Sequence, residues 1–290
     1  MPIVDQFLSL LELEPLEVNI YRGRNRDVGT GRVFGGQVFA QALVAARRTV
    51  AEPREAHSVH AYFLREGDVN TPIVYFVDRP RDGGSFTSRR VTAIQHGEAI
   101  FHLSASFHRE EPGFEHQSMM PDVPDPESLP AELDLVRARA DRLPEDLREV
   151  LTQDRPLDFR PVTPRDPYED RAPGEAKRTI WFRTVRPIPD AQILHQAVLA
   201  YASDYGFLPT SLVPHGVGFR DRRLQIASLD HSIWMHRPFR ADEWLLYVCD
   251  SPAAYGARGF VRGEVFSRDG KLVASVTQEG LIRMRSGTPR

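Results

Sequence analysis

The sequence predicts an α+β fold built twice in one chain, each copy a long buried helix wrapped by an antiparallel β-sheet. Three observations carry this. The segments 38–46 and 191–204 are Ala-rich and almost wholly apolar, and a helix that is apolar all round is a buried one. Runs of β-type residues follow each of them, separated by Gly, Pro, Asp and Asn turns. The halves also match internally. His57-Ser58 and the run to Tyr75 align with His231-Ser232 and the run to Tyr247, Gly97 with Gly270, and Gln41-Ala42 with Gln196-Ala197. The two copies are assigned to residues 1–110 and 176–290, and residues 111–175 to a proline-rich connector with one helix.

In chain order, residues 3–16 place Phe7, Leu8, Leu10, Leu11 and Leu13 at helical spacing and stop at Pro15. Residues 17–34 read as a strand and a Gly-rich turn. Gly29-Thr30-Gly31 is followed by no Gly-Lys-Ser/Thr, so it is a turn rather than a phosphate loop. Gly35 and Gly36 open the first Ala-rich helix. They permit close backbone approach at an end where free amides and the dipole favour negative charge, and they equally suit tight helix-on-sheet packing. Strands are expected at 59–64, 73–78, 86–95 and 99–107, with His96-Gly97 as a hairpin turn. Eleven of the 23 prolines fall in 109–175, where one helix is expected over 131–151, interrupted near Pro144. A strand at 180–185 and the second Ala-rich helix, 192–205, follow. From Ser228 the chain runs as a strand through Ile233, Trp234 and Met235, turns at Arg237-Pro238 and resumes through Trp244 to Tyr247.

Composition narrows the function. The chain has 290 residues, 41% hydrophobic and 27% charged, as in ordinary globular proteins. A net charge of −3 predicts no general attraction to nucleic acid or to anionic membrane. No apolar run approaches the roughly 20 residues of a membrane span, and Met1 to Phe7 lacks the pattern of a secretory signal. The terminal Gly287-Thr-Pro-Arg290 is not a peroxisomal Ser-Lys-Leu, so the cytoplasm is expected. Cys249 is the single cysteine, which precludes an internal disulfide and leaves cysteine-rich zinc sites without ligands; it reads as a buried structural thiol. His231 and His236 are five apart and His57 and His60 three apart, odd spacings that put strand residues on opposite faces. No metal site is expected.

Three polar residues stand in apolar surroundings: Asp204 at the end of the second helix, Ser228 before the strand at Asp230, and Gln278 after the alternating run 272–276. Each alone suits a blander role, as a solvated helix end, a turn or an exposed strand residue. Converging, they would activate water: a carboxylate takes a proton, a hydroxyl relays one, and an amide both donates and accepts. No G-x-S-x-G elbow is present, and no histidine is tied by spacing to a serine. By the internal alignment Thr49, Arg54 and Ala105 occupy the corresponding positions of the first copy, so one site per chain is expected.

A buried helix wrapped by an antiparallel sheet, present twice, points to a tandem hot-dog fold. The chain resembles the type II acyl-CoA thioesterase family at residues 31–38, His57 to Asp68, Phe114 to Gln117, Tyr201 to Asp204, Leu229 to Ser232, Ala257 to Phe260 and Gln278 to Gly280. The resemblance implies a catalytic Asp204, Ser228 and Gln278, with Ser where other members carry Thr or Ser. Activated water would attack a thioester carbonyl of a fatty acyl-CoA, medium to long in chain, and release CoA and free fatty acid. The resemblance also implies a backbone amide at a helix N-terminus as oxyanion donor, with Gly36 the candidate. CoA is then substrate and product, no cofactor is needed, and a homodimer or larger homo-oligomer is expected. Among the arginines Arg89, Arg90, Arg258 and Arg262, Arg258 is the candidate contact for CoA phosphates; Trp181, Trp234 and Trp244 read as core. Two rivals remain on the same fold. One is a non-catalytic acyl-CoA-binding module. The other is an enoyl-CoA hydratase, which wants an Asp–His pair, but His195 lies nine residues before Asp204, on the opposite side of the helix.

Overall fold

A computed structural model describes residues 1–29, 31–143, 145–164, 172–218, 221 and 223–285. The chain opens with α1 (Ile3–Leu11), whose Val4, Phe7 and Leu11 are buried. The segment expected as one strand and a turn forms a hairpin of β1 (Glu14–Glu17) and β2 (Ile20–Gly23), closed by Asn19 in the left-handed region. Helix α2 (Gly35–Arg47) has eleven consecutive buried residues, Gly36 to Ala46, as its uniform apolarity requires. Then come β3 (Glu55–Phe63), β4 (Ile73–Asp82), β5 (Phe86–Gln95) and β6 (Glu98–His108). His96 and Gly97, both at positive φ, make the β5–β6 turn.

Between the halves, the single helix expected over 131–151 is two: α3 (Glu132–Arg137) and α4 (Glu145–Thr152), with a 3₁₀ turn at Ala140–Arg142 between them. Pro144 lies outside the described residues. Strand β7 (Leu157–Pro161) falls inside 111–175 and pairs with β8 (Lys177–Thr184). The second half continues with α5 (Gln192–Ser203), a 3₁₀ segment (Leu208–His215), β9 (Leu224–Ser228), β10 (Asp230–Met235), β11 (Leu245–Tyr255), β12 (Arg258–Ser267) and β13 (Leu272–Met284).

Among the described residues the strands form one antiparallel sheet in the order β1-β2-β4-β5-β6-β3-β10-β13-β12-β11-β8-β7, with β9 added on β13. The halves join where β3 meets β10, with Val59 opposite Ile233 and His60 opposite Ser232. The two strands that aligned in the internal match are thus neighbours at the centre of the sheet. One side of it holds α2 and α5 packed on each other, and their alanines allow the close approach. A smaller core on the other side gathers Trp181, Trp244, Leu246, Phe266 and Leu272 under Met120, Val123 and Leu129 of the connector. Trp181 Nε1 donates to the Pro124 carbonyl at 3.0 Å.

Candidate active site

Helix α5 ends at Asp204, where the chain turns towards the 3₁₀ segment. Its neighbours are so apolar that the carboxyl is buried, with 7% of the side chain exposed. The N-terminus of α2 abuts it. A Cβ on Gly35 would stand 2.9 Å from Asp204 Oδ2, and one on Gly36 would stand 2.6 Å from the Tyr201 carbonyl. No side chain fits at either place, which is the close approach the paired glycines permit. The Gly36 amide hydrogen-bonds the Asp204 carboxyl.

Gln278 lies in β13, wholly buried, opposite Val261 of β12. Its Nε2 donates to Asp204 Oδ1 at 2.8 Å and to Ser228 Oγ at 2.9 Å. Ser228 ends β9 opposite Gly280 of β13, a short strand with no sequence signal. The loop after it is fixed three times: the Leu229 amide donates to the Glu279 carbonyl, the Phe63 amide to the Leu229 carbonyl, and the Glu279 amide to Asp230 Oδ1. The structure therefore brings Asp204, Ser228 and Gln278 together, with Gly36 at the same point. Gln278 Oε1 is buried without a hydrogen-bond partner.

Burial pushes the Asp204 carboxyl above the usual carboxylate range, while hydrogen bonds from Gln278, Gly36 and Ser228 pull it back. Burial of the charge is the larger effect, so Asp204 is a stronger base than an exposed aspartate. One neighbour was not singled out for this role in the sequence. His231 of β10 is fully buried, its Nδ1 3.9 Å from Asp204 Oδ1 and its Nε2 2.9 Å from Ser203 Oγ. Burial lowers its imidazole to about 3, so it is neutral.

A cavity of about 1260 Å³ adjoins these groups, with Gly35, Tyr201, Asp204 and Ser228 in its wall. Leu135, Val136, Leu143, Val150 and Leu151 of the connector supply an apolar side. The connector is fastened beside Asp204: the Tyr205 hydroxyl donates to Glu132 Oε1 at 2.6 Å and accepts from Arg155 Nη1 at 2.6 Å.

Arg258 does not line this cavity. It is exposed near the β11–β12 turn, with its Nε 3.0 Å from Glu279 Oε1. The arginines in the lining are Arg26, Arg32, Arg65, Arg139, Arg155 and Arg178. Arg89 is fully buried and bound to Thr49 and Asp82, and Arg262 pairs with Asp250. Trp181 and Trp244 are core, whereas Trp234 is half-buried, edge-on to His60. His195 accepts from the Ala241 amide at 3.0 Å, nine residues before Asp204 and so about 13 Å up the helix axis.

Residues 150–281 match the family described as acyl-CoA thioesterase, and residues 24–108 its N-terminal domain. The chain is 43% identical to acyl-CoA thioesterase 2 of Haemophilus influenzae, over 97% of this chain and 98% of that one. The chain belongs to the acyl-CoA thioesterase family. It is 42% identical to human acyl-coenzyme A thioesterase 8, over 96% of this chain and 88% of that protein. Among solved structures it superposes on an acyl-CoA thioesterase II from Mycobacterium marinum with a TM-score of 0.79 at 42% identity, covering 98% and 99% of the two chains. A hot-dog protein from Alicyclobacillus acidocaldarius gives 0.76 at 21% identity, covering 97% and 99%. The thioesterase is thus a double hot-dog, as its duplicated pattern predicts, and a hydrolase of acyl-CoA thioesters by membership.

Proposed function

We propose that this thioesterase hydrolyses medium- to long-chain fatty acyl-CoA to free fatty acid and CoA, by direct attack of a water activated by Asp204, Ser228 and Gln278. The observation that carries this is the Gln278 amide, which holds both the carboxyl and the hydroxyl within 2.9 Å at the wall of a large cavity. Asp204 takes one proton as the water oxygen bonds to the thioester carbon. The Ser228 hydroxyl, in the cavity wall, accepts the water's second proton as a hydrogen bond, and the wholly buried Gln278 amide holds the carboxyl and the hydroxyl in that pose. The carbonyl electrons move to oxygen, then return as the C–S bond breaks and the pair leaves on sulfur. The proton held by Asp204 neutralises the thiolate.

The Gly36 amide serves Asp204 in this scheme. Gly35 lines the cavity at the same helix start, where unpaired amides and the dipole favour an oxyanion. The chemistry calls for no cofactor. The cavity exceeds the roughly 300–1,000 Å³ of ordinary ligand pockets, and its apolar connector side supports a longer acyl chain. His231 does not favour a hydratase: its Nε2 is taken by Ser203, and the ring is absent from the cavity lining.

Thiol release from a series of acyl-CoAs, butyryl to stearoyl, tests the reading. Asp204→Asn should lower kcat by about 100-fold or more, and Ser228→Ala and Gln278→Ala by about tenfold or more, the range for general-base assistance. A folded Asp204→Asn protein within threefold of wild type would remove Asp204 as the base. Binding without thiol release at any length would make the chain a binding module.

A further inference from the structure

His231 is the buried titratable group that this scheme leaves unused. It is held from both faces by apolar rings, Phe39 edge-on at 5.2 Å and Phe207 at 5.8 Å between centroids. Its protonation pattern follows from its partners. The Ser203 hydroxyl has one proton and donates it to the Ala200 carbonyl at 3.2 Å. His231 Nε2 is 2.9 Å away, and with the serine proton on that carbonyl Oγ meets it as an acceptor, which is the pairing of an Nε2–H imidazole. Nδ1 is left with a bare lone pair, has no hydrogen-bond partner, and faces Asp204 Oδ1 at 3.9 Å.

We propose that His231 is a positioning residue for the water-activating carboxyl: Ser203 fixes it as the Nε2–H tautomer, and its Nδ1 lone pair keeps Asp204 basic and receives its protonated form. The inference rests on the reading of Asp204 as the base. The Gln278 amide, the Ser228 hydroxyl and the Gly36 amide all donate to Asp204 and favour its carboxylate. His231 faces it with an acceptor, which disfavours the carboxylate and favours the acid formed once water has given up its proton. A proton on Nδ1, or an imidazolium, would do the reverse. The other titratable groups facing the pair are Tyr201 on α5 and Tyr247 on β11, both raised by burial and so uncharged; Arg178 on β8 donates to the Tyr205 carbonyl. None of them competes for the proton that Asp204 takes.

The test compares pH profiles of kcat and KM for wild type, Ser203→Ala and His231→Leu. Ser203→Ala frees the imidazole to carry its proton on Nδ1, and His231→Leu removes the lone pair. Each should move the acidic limb of kcat down by about one pH unit and lower kcat about three- to tenfold, with KM unchanged. A limb that stays in place in both, whether or not kcat falls, makes His231 a packing residue and overturns the proposal. A second measurement needs no variant: ¹⁵N-histidine spectra of the wild type should show His231 neutral and protonated on Nε2 from about pH 5 to 9. An Nδ1–H tautomer, or titration near the ordinary value, overturns the proposal as well. Loss of activity in Asp204→Asn alongside unmoved limbs in these variants sinks this inference alone; an active Asp204→Asn sinks the base itself.

Discussion

Replacing His231 with leucine should uncouple much of the protein's stability from acid. The ring is fully buried and neutral, with a folded pKa of about 3, against about 6.5 in an unfolded chain. Between those values the unfolded state binds the proton and the folded state does not, so stability falls as pH drops. The contribution is whole above the unfolded value and is lost on the way down to the folded one. Linkage gives a loss of about 2–3 kcal/mol between pH 7 and 4.5, and about 4 kcal/mol by pH 3. Asp204 acts in the opposite sense, because its raised carboxyl gains stability on protonation. His57, His195 and His236, also lowered by burial, act in the same sense as His231. The three histidines are common to wild type and variant, and carrying Asp204→Asn in both backgrounds removes the carboxyl that the ring perturbs, so the difference between the two isolates the one ring. The assay is urea unfolding at pH 7 and 4.5, followed by the fluorescence of Trp181, Trp234 and Trp244. The pH-dependent part of the unfolding free energy should shrink by about 2–3 kcal/mol in His231→Leu. Whatever the substitution costs at pH 7 cancels. An unchanged span would mean that the native protein already charges this ring at pH 4.5, and the argument for a neutral His231 would fall with it.

Two further outcomes follow from burial. Cys249 is 1% exposed and its thiol is pushed up to about 12, so it should not react with Ellman's reagent in the native protein and should count as one thiol in denaturant; a fast native reaction contradicts this. The same inertness keeps the thiol-release assay free of background. Arg89 has no exposed side-chain surface and donates to Thr49, the Arg81 and Ser88 carbonyls, and Asp82. Arg89→Met removes these hydrogen bonds, with half-exposed Asp82 left to solvent, and should cost about 1–3 kcal/mol in denaturant unfolding; a loss below about 0.5 kcal/mol would show that the network relaxes.

The two Ala-rich helices and most of the long strands were legible because their patterns are local. Each long strand carries its own alternation, and each helix its own uniform apolarity. That Asp204, Ser228 and Gln278 meet was expected from polar residues in apolar runs together with the family resemblance, and the structure brings the three side chains within hydrogen-bond reach. What failed depended on contacts. Strand β7 does alternate, with Leu157, Phe159 and Pro161 inward, but Pro156 and Pro161 disguise it as connector. Strand β9 is half-buried throughout except Ala227, so no period marks it. The helix expected over 131–151 with an interruption near Pro144 stops at Arg137 and resumes at Glu145, so the gap is longer than expected. Arg258 looked available in sequence, yet a cross-strand Glu279 claims it. His231 was weighed only against other histidines along its strand. Its true partner, Asp204, is 27 residues away in sequence and meets it because β10 runs beneath the end of α5.

Duplication raises the question of why the proposed trio has no counterpart in the first copy. At the first-copy counterparts, Thr49 Oγ1 and its carbonyl accept from Arg89, Arg54 donates to the Gly83 and Gly84 carbonyls, and Ala105 has no polar group. A buried guanidinium there would hold any nearby carboxyl charged and weakly basic, the reverse of what burial does for Asp204. The first copy is nevertheless part of the site. Its helix α2 brings Gly35 and Gly36 against Asp204, and its strand β3 fixes the loop after Ser228 through Phe63. The carboxyl, hydroxyl and amide come from one copy, and the helix start that faces them comes from the other. A single copy would therefore lose both the Gly36 amide that orients the Asp204 carboxyl and the wall that buries it, and with that burial the raised basicity on which the proposed chemistry depends.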